Sequence, residues 1–333
     1  MSDTASDRLP LPRLLALTAA ITALLMSLAF MAVQLSVGEH AAELRRVYMG
    51  WSYVLTLGLD WAANLALTGL VVYACTRSYE ENHGALPVGA RRRVQGLMVA
   101  AVVAITLAMQ MLWIALYPVV MMPILRWGME NYSPYAGPLV IQAIGLVQTI
   151  IAGLLMSVAT LAYARRIAPA LSHDDQARPV VPAVQSAAVI FAWTWLVLQV
   201  QLVRPAVGLY TSQLSSQTPW TLLLYLVLPL LIALLSKVAV AKPLTEIQPW
   251  RAAPGRAILA ALCAFLSAQL AQFAVAFVLA YSLRLSTLLR GGLLVLIIGA
   301  LITYLALMVP LSRLFIRLFY RREGSAATNV AAA

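Results

Sequence analysis

Histidine, cysteine and acidic residues are scarce in this 333-residue chain: three His, two Cys, and 12 Asp and Glu together. Each shortage removes a class of chemistry. Two isolated cysteines, Cys75 and Cys263, make no metal motif, and their positions inside apolar stretches give no reason to expect a disulfide. His40, His83 and His173 are all expected in loops, so that no helix offers an axial imidazole to a haem. No His-rich cluster, phosphate-binding glycine loop, carboxylate pair or nucleophile beside a base is legible. The expectation is a chain that is not an enzyme, with no catalytic residues, no cofactor and no metal.

Charge is scarce as well. Only 11% of residues are charged against 62% hydrophobic, whereas soluble domains carry about 25% charged residues. The apolar residues collect in eight stretches, 14–37, 50–75, 97–125, 138–164, 182–203, 219–241, 257–283 and 291–316. Each reaches the roughly 20 residues that a helix needs to cross the hydrocarbon core. A membrane barrel would read as alternating segments of about 10 residues, a pattern absent here. The expected fold class is therefore an all-α integral membrane protein, an eight-transmembrane-helix bundle in a lipid bilayer.

The basic residues set the expected topology. With the N-terminus in the cytoplasm, only Arg45, Arg46, Arg126, Arg204, Arg284 and Arg290 of the 23 Lys and Arg lie outside. The other basic residues lie inside, the asymmetry that the positive-inside rule describes for short loops. An even number of spans then puts both termini in the cytoplasm. The net charge of +11 is accordingly read as topology signals and contacts to anionic headgroups, not as a nucleic-acid footprint. Lys supplies only Lys237 and Lys242 among these cations. With the abundant Ala, this suggests a GC-rich bacterial genome and so an inner membrane. The first apolar run is longer than the 7–15 residues of a signal-peptide core, which favours an uncleaved anchor.

No soluble domain fits between the spans. Residues 1–13 read as a cytoplasmic tail, 14–164 as helices 1–4, 165–181 as a cytoplasmic loop, 182–316 as helices 5–8, and 317–333 as a disordered cytoplasmic tail. The stretches 76–96 and 165–181 are the longest loops expected, and neither can bury a core. Laying the first four spans on the second four aligns Gln34 with Gln201, Trp51 with Trp220, Gln110 with Gln269, and Met156 with Met308. That pattern is compatible with two parallel four-helix repeats, although apolar helices also align by chance.

The polar interior is where function is sought. Asp60, the only acid inside any span, lies ten residues after Gly50, about 15 Å deep. A charge at that depth costs about 2.5–3.5 kcal/mol on insertion scales, which makes it a functional candidate by default. Thr56, Asp60 and Asn64 recur at four-residue spacing within the series Ser52 to Thr68, and so share a helix face. Gln110, Gln148 and Gln269 come to similar depths by the same count, and no Lys or Arg does. Removal from water disfavours a charged carboxylate, so a neutral Asp60 able to donate a hydrogen bond or exchange a proton is expected. The candidate substrate or proton site is Asp60, Asn64, Thr56, Gln110, Gln148 and Gln269. The competing reading is a set of polar side chains that only bridge helices.

Several other features read as packing. Gly145, Thr149, Gly153 and Ser157 form a small-residue ridge that lets a neighbouring helix approach. Pro118, Pro123, Pro229 and Pro310 kink or soften helices. The aromatic stretch 126–135 reads as an interfacial belt. Two function classes stay open. One is a small secondary carrier with a proton- or cation-responsive site and a small-molecule or ion substrate. The other is a non-catalytic subunit or scaffold that assembles with a membrane protein partner. A water-accessible path to the polar layer separates them.

Overall fold

A computed structural model describes residues 10–37, 42, 46, 51–84, 88–131, 136–171, 182–210, 227–282 and 293–331. Among these the structure is all-helical: α1 Leu11–Ser36, α2 Trp51–His83, α3 Val88–Leu116, α4 Met122–Asn131, α5 Ala136–Leu171, α6 Ala183–Tyr210, α7 Leu228–Ile247, α8 Pro254–Ser282 and α9 Leu293–Ala331. A π-helical turn, Tyr117–Met121, joins α3 to α4 around Pro118, whose ring and missing N–H disturb the ordinary helical ladder. Among the described residues eight helices are long and apolar enough to span a membrane, and each overlaps one of the eight stretches read from sequence. The first part of span 6, 219–226, lies outside the described residues.

The helices outrun their apolar cores. Residues 76–96, expected as a loop, are mostly helix: α2 continues to His83 and α3 begins at Val88. Ion pairs from Arg77 to Glu80 and Glu81, at 3.6 and 3.2 Å, link neighbouring turns and support that polar extension. His83, expected in a loop, is instead the last residue of α2, its ring stacked on Tyr79. Residues 126–131 of the expected aromatic loop belong to α4, and α9 runs past 316 to Ala331.

The chain divides into two compact units. Unit 1 comprises residues 1–180 and 200–226; unit 2 comprises 181–199 and 227–333. In unit 1, α1 packs on α2 and α3, and α5 packs on the same two helices from the other side. The contacts close a four-helix ring with an up-down course.

Packing in this ring is uneven along its length. Among the described side chains, α1 is buried from Leu11 to Thr22 and not beyond, α3 from Ala90 to Val102 and not beyond, and α5 only from Gly153 onwards. The tight end therefore holds the start of α1, the end of α2, the start of α3 and the end of α5. Met98, Val72 and Thr160 are fully buried there, and Gln95 of α3 donates to Thr18 of α1 at 3.1 Å. Toward the opposite end no described residue of α1, α3 or the first half of α5 is fully enclosed.

Unit 2 is built around Trp195 of α6, which is completely buried. Its ring meets Phe265 of α8 edge-on, with centroids 5.4 Å apart, and lies beside Tyr304 of α9. Tyr304 donates a 2.9 Å hydrogen bond to Oε1 of Gln199, so the buried amide oxygen is satisfied inside the core. α9 packs along α8 and α7. On α8, Leu270, Phe273 and Phe277 form an exposed apolar stripe, the surface expected of a helix that faces lipid. Several buried hydroxyls bond back along their own helices, as Thr194 does to Ile190 and Thr160 to Met156, since hydrocarbon supplies no partner.

Candidate functional site

A cavity of about 370 Å³ lies in unit 1, where the four-helix ring loosens. That volume is at the lower end of the roughly 300–1,000 Å³ typical of small-molecule pockets. Ala23 is the contribution of α1, and α2 presents Asn64 and Thr68. From α3 come Thr106, Met109, Gln110 and Trp113, one face at successive helical turns. From α5 come Gln142, Gly145, Gln148 and Thr149, with Ile141, Ala152 and Met156 around them. Among the described residues, none that lines the cavity is charged.

Three residues singled out from sequence thus meet at one cavity: Asn64, Gln110 and Gln148. Asp60 is half-buried one turn before Asn64 and is not among the lining residues. The side chain of Thr56 lies outside the described residues. Gln269 is buried on α8 in unit 2 and is not among the lining residues. Sequence reading missed Thr106, Trp113 and Gln142. Their signal was the four-residue step from Thr106 to Gln110 and the polar stripe Gln142, Gly145, Gln148 and Thr149, visible only when each helix face is read as a whole.

The amides differ in their commitments. Gln148 donates through Nε2 to the Met109 carbonyl at 3.3 Å, and Gln142 through Nε2 to the Gln201 carbonyl at 3.5 Å. Thr149 donates to Gly145 on its own helix. Asn64 and Gln110 make no hydrogen bond among the described residues. An amide in an apolar bundle without a partner is costly, so these two side chains call for water or a ligand.

The small-residue ridge of α5 splits between two jobs. Gly145 and Thr149 border the cavity, and a Cβ at Gly145 would meet nothing within 4 Å. At Gly153 a Cβ would lie 3.1 Å from Cγ1 of Val71 on α2. Ser157, one turn on, reaches Cys75 of the same helix. This lower part of the ridge is a contact surface within the chain.

Beyond that contact the ring ends in buried charge. Arg77, Glu80 and Arg91 are almost fully enclosed, and Glu80 lies within the influence of both guanidiniums. Sequence reading placed Arg77 and Arg91 among the headgroup contacts; their burial corrects that for these two. Arg92, Arg93, Arg165 and Arg166 are exposed. Charge counting alone does not separate the sets, because the helix turn that buries one cation exposes the next.

No protein-family model, curated protein or solved structure matches this chain.

Proposed function

We propose that the protein is a small membrane carrier whose solute site is the amide-lined cavity of unit 1. The observation that carries the reading is the position of this cavity, in the loosened half of a four-helix ring whose other half is packed shut. A bundle needed only as a scaffold gains nothing from uncommitted amides in hydrocarbon, whereas a carrier needs groups that bind a solute and release it. The ridge that supported the scaffold alternative is partly occupied inside the chain, by Val71 and Cys75.

In this reading both termini are cytoplasmic, following the charge asymmetry, in a bacterial inner membrane. The packed end of unit 1 then faces the cytoplasm and the cavity opens outward. Asp60, one turn from Asn64, supplies the ionisable group that couples the site to protons. The role is non-enzymatic. Two parallel repeats remain part of the proposal: in unit 1, α5 packs on α2 and α3, and in unit 2, α9 packs on α7 and α8, the pairs that the alignment equates.

Cysteine accessibility tests the proposal. With Cys75 and Cys263 replaced by Ala, Gln110→Cys in proteoliposomes should react with a membrane-impermeant thiol reagent, and Met98→Cys should not. Equal protection of both positions from either side of the membrane would mean a dry interior and would rule out the carrier.

A further inference from the structure

Resting on that reading of the cavity, we infer that its ligand is an uncharged organic molecule that carries amide or hydroxyl groups on one side and an apolar face on the other. The inference comes from which groups the lining offers and which it withholds.

Four carboxamides, Asn64, Gln110, Gln142 and Gln148, surround the space. Each carboxamide has a carbonyl acceptor and an NH₂ donor. Gln142 and Gln148 spend an N–H on backbone carbonyls of α6 and α3, which fixes their orientation and leaves carbonyl oxygen for a ligand. Asn64 and Gln110, on helices from opposite sides of the ring, have both kinds of group uncommitted among the described residues. Donors and acceptors are therefore both available, as a neutral amide or polyol requires.

A charged ligand meets the reverse situation. Among the described residues no Asp, Glu, Lys, Arg or His lines the cavity, and an ion transferred there would lose its hydration without gaining a counter-charge from them. The remaining wall is made by the Trp113 ring and the thioethers of Met109 and Met156. Such groups favour a flat apolar or aromatic surface. This combination selects against inorganic ions and favours a small neutral solute.

Isosteres that differ only in charge test the inference. The full-length chain in mild detergent would be titrated with nicotinamide, benzamide and glycerol, and in parallel with nicotinate, benzoate, 3-picolylamine and benzylamine. The readout is the ligand-dependent shift in thermal unfolding. At least one neutral member should raise the unfolding temperature, while its charged isosteres leave it unchanged. Asn64→Leu or Gln110→Leu should weaken that binding about tenfold, the loss of one to two hydrogen bonds. The apparent unfolding temperature without ligand separates loss of binding from loss of fold, and Gln110→Glu gives a second handle by admitting a cation in place of the amide.

Preferential stabilisation by a charged isostere, sensitive to the same substitutions, would overturn the ligand class while leaving a solute site in place. No stabilisation by any member, with Gln110→Cys still labelled, would also overturn the class and leave only a hydrated cavity. No stabilisation together with a protected Gln110→Cys would remove both this inference and the carrier reading.

Discussion

Gly153 of α5 lets the backbone close on Val71 of α2, where a methyl group would be tight enough to push Val71 aside by a few tenths of an ångström: a Cβ there would stand 3.1 Å from Cγ1 and 3.2 Å from Cβ of Val71. Eight residues earlier on the same helix, Gly145 borders the cavity and has open space around it. The two glycines mark where the four-helix ring changes from packed to loose. Substituting them should separate the two regimes. Gly153→Val should destabilise unit 1 by about 1–3 kcal/mol, the usual cost of overpacking. Gly145→Ala should be neutral or stabilising, since Gly is the weaker helix former. Chemical denaturation in micelles, followed by circular dichroism, measures both; equal effects would mean that the close approach at Gly153 is not real.

The buried Tyr304–Gln199 hydrogen bond orders the core of unit 2. Tyr304→Phe should cost about 0.6 kcal/mol and no more than roughly 1.7, the range found between membrane helices. Adding Gln199→Leu should recover part of the loss, because the amide is no longer left buried without its donor. A double-mutant cycle gives the coupling, and strictly additive losses would show that the two groups do not interact.

Two ion-paired arginines of opposite exposure should respond very differently to substitution. Arg77 is enclosed with Glu80 and Glu81, whereas Arg317 and Glu246 meet at 2.9 Å on the surface with about half of each side chain exposed. Arg77→Met leaves two enclosed carboxylates and should cost about 3–5 kcal/mol. Arg317→Met should cost about 0–1 kcal/mol. Unfolding free energies of the two variants decide the matter, and a larger loss at Arg317 would contradict the burial of Arg77.

Anionic lipid binding should follow exposure rather than the count of basic residues. Replacing Arg92, Arg93, Arg165 and Arg166 by Gln should weaken binding of phosphatidylglycerol by about 1 kcal/mol per residue removed. Arg77→Met should leave it unchanged as long as the chain stays folded. Native mass spectrometry across a lipid titration reads both, and loss of lipid in the Arg77 variant alone would reverse the assignment.

Asp60 is half-buried beside Asn64 on α2. Asp60→Asn should preserve the fold, since the two side chains match in size and polarity, and should flatten any pH dependence of neutral-solute uptake into proteoliposomes. Uptake with an unchanged pH profile would leave Asp60 a structural acid.

Much of the architecture was legible in composition because hydrocarbon imposes a one-dimensional rule: a crossing segment must be apolar over about 20 residues and must satisfy its own backbone. That rule determined the all-helical fold and the eight spans. It also drew attention to Asn64, Gln110 and Gln148, since a polar side chain is conspicuous within an apolar run. What depth cannot supply is azimuth and neighbourhood. Only the tertiary structure placed those three residues around one cavity, set Gln269 in a different unit, and added Gln142, Thr106 and Trp113. It also enclosed Arg77 and Arg91 while leaving Arg92 and Arg93 exposed. These distinctions depend on which face of each helix meets its neighbour, and a rotation of about 100° per residue decides that only once the helices are packed.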